Sequence, residues 1–209
     1  MNLSDNKYAQ YYLVQEMMDT VATIKKFNPD CCSPVTAAAK ESGHLLLAGE
    51  GSSRIMPAKN AIRKAMTWGI KEFIHTDGAH QCCGYKLDDY TVVLASNSGR
   101  TKETLMLANK LKADGNSRSF AITANENTPL EAAAASTYVL KCGWENAVAA
   151  TKSVVEQVLF NEAVVRGLAG KGMNLEGLAD KVETALTLNI PAEVVEWAKA
   201  AKTIYFAGM

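Results

Sequence analysis

Apolar positions along the chain follow two different periods. Five short runs, at residues 44–48, 73–76, 92–95, 118–123 and 137–140, read as strands. His44-Leu45-Leu46-Leu47-Ala48 and Val92-Val93-Leu94-Ala95 are nearly continuous in aliphatic residues, the pattern of parallel strands buried on both faces. Between and before them the apolar spacing lengthens to that of helices. Residues 8–26 carry Tyr12, Met17, Val21 and Ile24 on one face and stop at Asn28-Pro29. A short helix over 34–40 opens at Ser33 with Pro34 in its first position. Further helices are predicted over 54–68, from Leu105 through Leu111 to about Asp114-Gly115, over 129–135 and over 146–167, while 77–83 is a short helix or an irregular loop.

Strands alternating with helices across short links specify a parallel sheet covered on both faces. The expected fold is a three-layer, doubly wound α/β domain with five parallel strands, preceded by an N-terminal helix and followed by helices. Residues 1–40 form the N-terminal helical segment and 41–170 the sheet domain. Beyond Gly170 the texture changes to two helices, over 175–188 and 191–202, and then to the apolar run Thr203-Ile204-Tyr205-Phe206-Ala207-Gly208-Met209. That run repeats the form of Leu45 to Gly49, and residues 171–209 are read as linker helices plus the first strand of a second, similar domain that this chain lacks.

Composition narrows the function classes. Lys plus Arg and Asp plus Glu each number 22, so there is no net charge, no basic stripe for nucleic acid and no acidic tail. The first ten residues lack the basic and apolar regions of a signal peptide, and no apolar run has the length of a membrane span. A cytoplasmic protein is expected. Five cysteines (Cys31, Cys32, Cys82, Cys83 and Cys142) are an odd number, which suits free thiols. The two Cys-Cys pairs have neither the spacing nor the histidine of a zinc site, so small buried apolar residues are expected there and no metal.

Chemistry concentrates where strands end. Gly49-Glu50-Gly51-Ser52-Ser53 follows the first strand, and Ser96-Asn97-Ser98-Gly99-Arg100-Thr101 follows the third. Helix starts expose amides without intrahelical partners and carry the positive end of the macrodipole. Hydroxyls from Ser96, Ser98 and Thr101 beside such a start would cradle an anion, phosphate above all. The simpler alternative is that Ser98 or Thr101 caps the helix. A third loop, Glu145-Asn146-Ala147-Val148-Ala149-Ala150-Thr151-Lys152, precedes the long helix. No Gly-x-Gly-x-x-Gly or Walker motif supports a nucleotide site.

Together the three loops resemble those of the sugar isomerase (SIS) domain family, over roughly residues 40–168. The likeness is to the first SIS domain of double-domain aldose–ketose isomerases. Ser96 to Thr104 fits the family's Ser-x-Ser-Gly-x-Thr-x-x-Thr at every fixed position. Glu145 to Lys152 fits Glu-x-x-Val-Ala-Ser-Thr-Lys except for Ala150 in place of serine, which removes one sugar hydrogen bond and points to an altered sugar preference. The resemblance implies a flavodoxin-like SIS fold and a phosphorylated sugar as ligand, held by Gly51, Ser52, Ser53, Ser96, Asn97, Ser98, Gly99 and Thr101. Val148 and Ala149 would lie against the sugar.

It implies no cofactor, no nucleic-acid or membrane partner, and a homodimer or higher homo-oligomer. Isomerisation needs a base that moves a proton between adjacent carbons. Glu145 is the carboxylate best placed by sequence, its alternative being a carboxylate that stabilises a helix start. Glu103, Lys152, His75 and His80 are weaker candidates, each with a structural alternative. In the double-domain enzymes further catalytic groups come from the second SIS domain. The implied function is a hexose or amino-hexose 6-phosphate isomerase, whole or in part. A phosphosugar-sensing module without catalysis and a related deglycase are the alternatives.

Overall fold

A computed structural model describes residues 6–205 of the chain. Five parallel strands form one sheet: β1 (His44–Gly49), β2 (Phe73–Gly78), β3 (Thr91–Ala95), β4 (Ser119–Thr123) and β5 (Ser136–Val139), in the order β2-β1-β3-β4-β5. Ten α-helices are described: α1 (Asn6–Ala9), α2 (Tyr12–Lys26), α3 (Ser33–Ser42), α4 (Ser52–Trp68), α5 (Ala79–Cys82), α6 (Lys102–Ala113), α7 (Pro129–Ala133), α8 (Lys152–Leu168), α9 (Leu178–Thr187) and α10 (Ala192–Ala200). A 3-10 turn over Pro29–Cys32 leads into α3. The expected doubly wound fold is the observed one, each strand lying within two residues of its predicted bounds.

Period-two alternation within the strands builds a core on each face. Leu45 and Leu47 face one layer with Ile24, Val35, Ala58, Ala61, Phe160 and Val164 from α2, α3, α4 and α8. Leu46 and Ala48 face the other with Leu107, Leu111 and Leu130 from α6 and α7. Chain direction through the sheet reverses between β1 and β3, so their following loops part and leave a crevice at the carboxyl edge. Gly49 is required there, because a β-carbon on it would stand 2.8 Å from the Ala95 carbonyl oxygen.

Three predicted elements differ from the structure. The long helix starts at Lys152, not residue 146, because the amides of Asn146, Ala147 and Thr151 are bound by carboxylate side chains rather than by helical hydrogen bonds. Helix α4 starts earlier than expected, so Ser52 and Ser53 lie in its first turn. Thr203 to Tyr205 belong to no strand, and the rest of the expected terminal strand lies outside the described residues. Only Cys32 and Cys82 are fully buried; Cys31, Cys83 and Cys142 are partly exposed, and all five thiols are free. No helix among the described residues is long and apolar enough to cross a membrane.

Helix α8 buries polar as well as apolar groups, because it anchors what precedes it. Glu156, fully buried, accepts hydrogen bonds from the Tyr138 hydroxyl at 2.8 Å and from the amides of Lys141 at 2.8 Å and Cys142 at 2.7 Å. This ties the end of β5 to α8 and sets where the third loop begins. Glu156→Ala strands these donors, and a buried unsatisfied donor costs about 1–3 kcal/mol. Urea unfolding is expected to show a loss of about 3 kcal/mol, and an unchanged midpoint would contradict the anchoring role.

Candidate functional site

Three loops meet at the carboxyl edge of the sheet. Gly51 caps α4 with φ +55°, a left-handed conformation that suits glycine, and offers no side chain to the first-turn amides. In the second loop Gly99 has φ +63°, and a β-carbon there would fall 2.5 Å from the Thr128 side chain, so conformation and space both demand glycine. Its carbonyl accepts from the Leu130 amide at 3.2 Å, packing the loop onto α7. Thr101 then caps α6 without any hydrogen bond from its side chain to the helix amides. The capping alternative for Thr101 is therefore not what the structure shows. Ser98 accepts from the Arg100 amide at 3.2 Å, a local turn rather than a helix cap.

The hydroxyls sort into two groups. Ser96 is buried, with its Oγ 2.8 Å from Thr101 Oγ1 and 3.4 Å from the Thr101 amide, so it orients Thr101 from beneath. Ser52, Ser53, Ser98 and Thr101 instead line an open cleft of about 270 Å³ with Asn97, Ala124, Asn125, Trp144, Glu145, Val148 and Ala150. Gly51, Ser96, Gly99 and Ala149 are not among the lining residues. Val148 and Ala149 are both solvent-exposed at this edge.

Asn97 is the junction of the site. Its Nδ2 donates to Glu145 Oε2 at 2.8 Å, joining the second and third loops. Its main-chain carbonyl accepts from the Ala124 amide at 2.9 Å and from Asn125 Nδ2 at 3.2 Å, joining the loop after β4.

Glu145 receives five donors. Oε1 accepts from the Thr151 amide at 2.7 Å, the Thr151 hydroxyl at 3.0 Å and the Ser153 amide at 3.3 Å, while Oε2 accepts from Asn97 and from the Ser153 hydroxyl. The first amides of α8 thus find their anion inside the protein. Burial pushes this carboxyl up, but the Ser153 and Thr151 donors outweigh burial and hold it below its usual value. With its lone pairs engaged, Glu145 is built as a clamp.

The third loop is also held from the N-terminal helix. Glu16 on α2, a buried carboxylate, accepts from the Asn146 amide and, at 3.2 Å, from that of Ala147. Lys152, itself buried, pairs with Asp19 at 3.0 Å, which assigns it a structural partner. Sequence reasoning missed Glu16, Asp19, Asn125, Trp144 and Ser153. Glu16 did leave a signal: it falls four residues before Thr20 on the helix face that packs inward.

The remaining candidates lie outside this cleft. His80 and Glu103 line a neighbouring cavity of about 440 Å³ with Glu50, Gly78 and Gln81, at the ends of β1 and β2. His75 packs its ring against Phe73 at 5.3 Å and Tyr90 at 5.9 Å. Burial pushes its pKa down, the charge of Asp77 opposing, as suits a neutral, partly buried imidazole on the edge strand.

Fold and site define a doubly wound α/β domain whose ligand crevice, at the switch point between β1 and β3, is edged by the starts of three helices. The SIS domain family matches residues 39–166, more than half of the chain, and the protein belongs to that family. No curated protein sequence matches the chain significantly. Among solved structures, the C-terminal domain of glucosamine-fructose-6-phosphate aminotransferase from Francisella tularensis is similar, with a TM-score of 0.57 and 17% identity over 88% of this chain and 56% of that one. The chain therefore spans little more than half of that structure. The Vibrio vulnificus NanR protein, complexed with ManNAc-6P, aligns with a TM-score of 0.60 and 15% identity over 95% of this chain and 73% of that one. A Methanococcus jannaschii protein with an inferred function of 3-hexulose-6-phosphate isomerase aligns with a TM-score of 0.54 and 17% identity, over 87% and 100%. At these identities the likeness is one of fold.

The Glu145 clamp carries a pH dependence of definite sign. Its folded pKa lies below the unfolded value, so its stabilisation is complete above the ordinary carboxylate range and is lost as pH falls through the folded pKa. Glu145→Gln is expected to lower the melting temperature most near neutral pH, with the gap to wild type closing below about pH 4. A gap independent of pH would contradict the clamp.

Proposed function

We infer that this chain is a phosphosugar-binding SIS domain of the aldose–ketose isomerase lineage. The observation that carries the reading is the state of the helix starts. Glu145 satisfies α8 internally, whereas the caps of α4 and α6 make no side-chain hydrogen bond to their helices. The amides of α4 and α6 open beside a cleft lined with hydroxyls and suit a phosphate monoester, whose oxygens accept from amides and hydroxyls alike. Ser53, Ser98 and Thr101 are the direct phosphate ligands in this reading. Ser52 adds to the first-loop side, Ser96 supports Thr101, and Asn97 fixes the loop. The sugar extends toward Val148 and Ala150.

Two features bear on catalysis. Proton transfer between adjacent carbons needs a carboxylate or imidazole with a free lone pair. Glu145 has none to spare, and its role here is to position the third loop. The neighbouring cavity holds Glu50, His80 and Glu103 at the same sheet edge, and these are the groups of this chain available for acid–base chemistry. Isomerisation of a hexose or amino-hexose 6-phosphate is therefore the proposed activity. The saturation of Glu145 specifically favours a second reading, a domain that binds and senses the phosphosugar without turning it over. NanR, similar in fold, is described in complex with a phosphosugar. Turnover assays across hexose 6-phosphates separate the two readings.

Binding is tested first. Two hydrogen bonds to a charged group, at about 1.5–3 kcal/mol each, correspond to at least a hundredfold in affinity. The double substitution Ser98→Ala/Thr101→Ala is expected to weaken glucosamine 6-phosphate binding by about that factor in calorimetry, with the melting temperature near wild type. Unchanged affinity would overturn the phosphate assignment.

A further inference from the structure

The lining of the cleft is not all polar. Besides the hydroxyls of Ser52, Ser98 and Thr101 it includes Trp144, Val148 and Ala150. Trp144 is 63% exposed, a large apolar group left in water at the edge of a polar site. Its surroundings hold it still. The indole Nε1 donates to Asn146 Oδ1 at 3.1 Å, and the Asn146 amide is in turn bound by the buried Glu16 carboxylate. The residue that directly follows it, Glu145, is clamped to the start of α8. A lone exposed tryptophan is ordinary; one whose indole is hydrogen-bonded and whose next two residues are anchored, beside a hydroxyl-lined cleft, is a prepared surface.

We propose that Trp144 is the platform on which the sugar ring of the ligand lies, by stacking the ring's C–H face on the indole. This rests on the phosphate reading and adds to it what the site selects. An aromatic face carries negative charge density and attracts weakly positive C–H groups, which a closed hexose ring presents together on one side. With alanine at position 150, the lining offers no hydroxyl there, so ring contact replaces a hydrogen bond as the source of affinity. The phosphate loops hold one end of the ligand and Trp144 holds its carbon skeleton. The cleft therefore discriminates a cyclic hexose 6-phosphate from inorganic phosphate and from a short acyclic ester such as glycerol 3-phosphate. Trp144 is a specificity-determining residue, with no part in proton transfer.

Fluorescence and calorimetry test this on the intact chain. Trp68 and Trp197 do not line the cleft, and in the Trp68→Phe/Trp197→Phe background emission reports on Trp144 alone. Glucose 6-phosphate and glucosamine 6-phosphate are expected to shift or quench that emission at saturation, and inorganic phosphate to leave it nearly unchanged. In the otherwise native chain, Trp144→Ala is expected to weaken both hexose phosphates about tenfold, with inorganic phosphate and glycerol 3-phosphate within twofold of wild type. Trp144→Phe should recover most of the loss. Equal weakening of hexose phosphates and inorganic phosphate would show that Trp144 only holds the loop, and would overturn the stacking. Unchanged hexose phosphate affinity in Trp144→Ala would overturn it as well. Failure of the native chain to bind any of the four ligands would instead overturn the phosphate reading beneath it, and the stacking with it.

Discussion

The first amides of an α-helix have no partner inside the helix, and each must be given one. In this protein that constraint organises the whole carboxyl edge of the sheet. Helices α4, α6 and α8 all start there, because parallel strands joined by right-handed crossovers deliver each following helix to the same edge. Three positive helix ends side by side call for negative charge. One is supplied from within: Glu145 accepts from the amides of Thr151 and Ser153 and from their hydroxyls. The other two open on a crevice lined by hydroxyls. A protein that neutralises one helix start internally and leaves two facing solvent has the electrostatics of an anion receptor.

That arrangement depends on parts distant in sequence. The third loop is irregular and would be mobile on its own backbone alone. It is fixed by Glu16 just after its start, by Glu145, which ties its start to its end, and by the Lys152–Asp19 pair at its end. Two of these three fixings come from α2, so the N-terminal helix is part of the site's framework as well as of the core. Asn97 closes the circuit, bonding across from the second loop to Glu145 and receiving the loop after β4 on its carbonyl. The loops are joined by a network of charge-assisted hydrogen bonds, which are stronger than neutral ones.

How much of this was legible in the sequence follows from the range of the forces involved. Strands such as Leu45 to Ala48 and Val92 to Ala95 show themselves because burial on both faces demands apolar residues at every position. The loop Ser96 to Thr101 was visible as small and hydroxylated residues between a strand and a helix, and its role as the edge of the cleft needed only that local pattern. The start of α8 was misplaced by six residues because Val148, Ala149 and Ala150 are compatible with helix, while the buried Glu16 carboxylate that binds the loop lies elsewhere in sequence. Glu145 was read as a base or as a carboxylate that stabilises a helix start; four of its five donors come from Thr151 and Ser153 at the start of α8, which fits the second reading, and only Asn97 reaches it from another loop. Trp144 and Asn125 escaped altogether. Asn125 follows β4 and Trp144 follows β5, and they belong to the site through the sheet order β1-β3-β4-β5, not through any motif of their own.

We propose above all that a phosphate group sits at the open starts of α4 and α6. A crystal structure of the protein with glucosamine 6-phosphate measures this directly. The phosphorus is expected where its oxygens accept from Ser53, Ser98 and Thr101 and from first-turn amides of α4 or α6, with Glu145 still bound to α8 and making no contact with the phosphate. A phosphate bound elsewhere, or Glu145 released from α8 to meet the ligand, would contradict it.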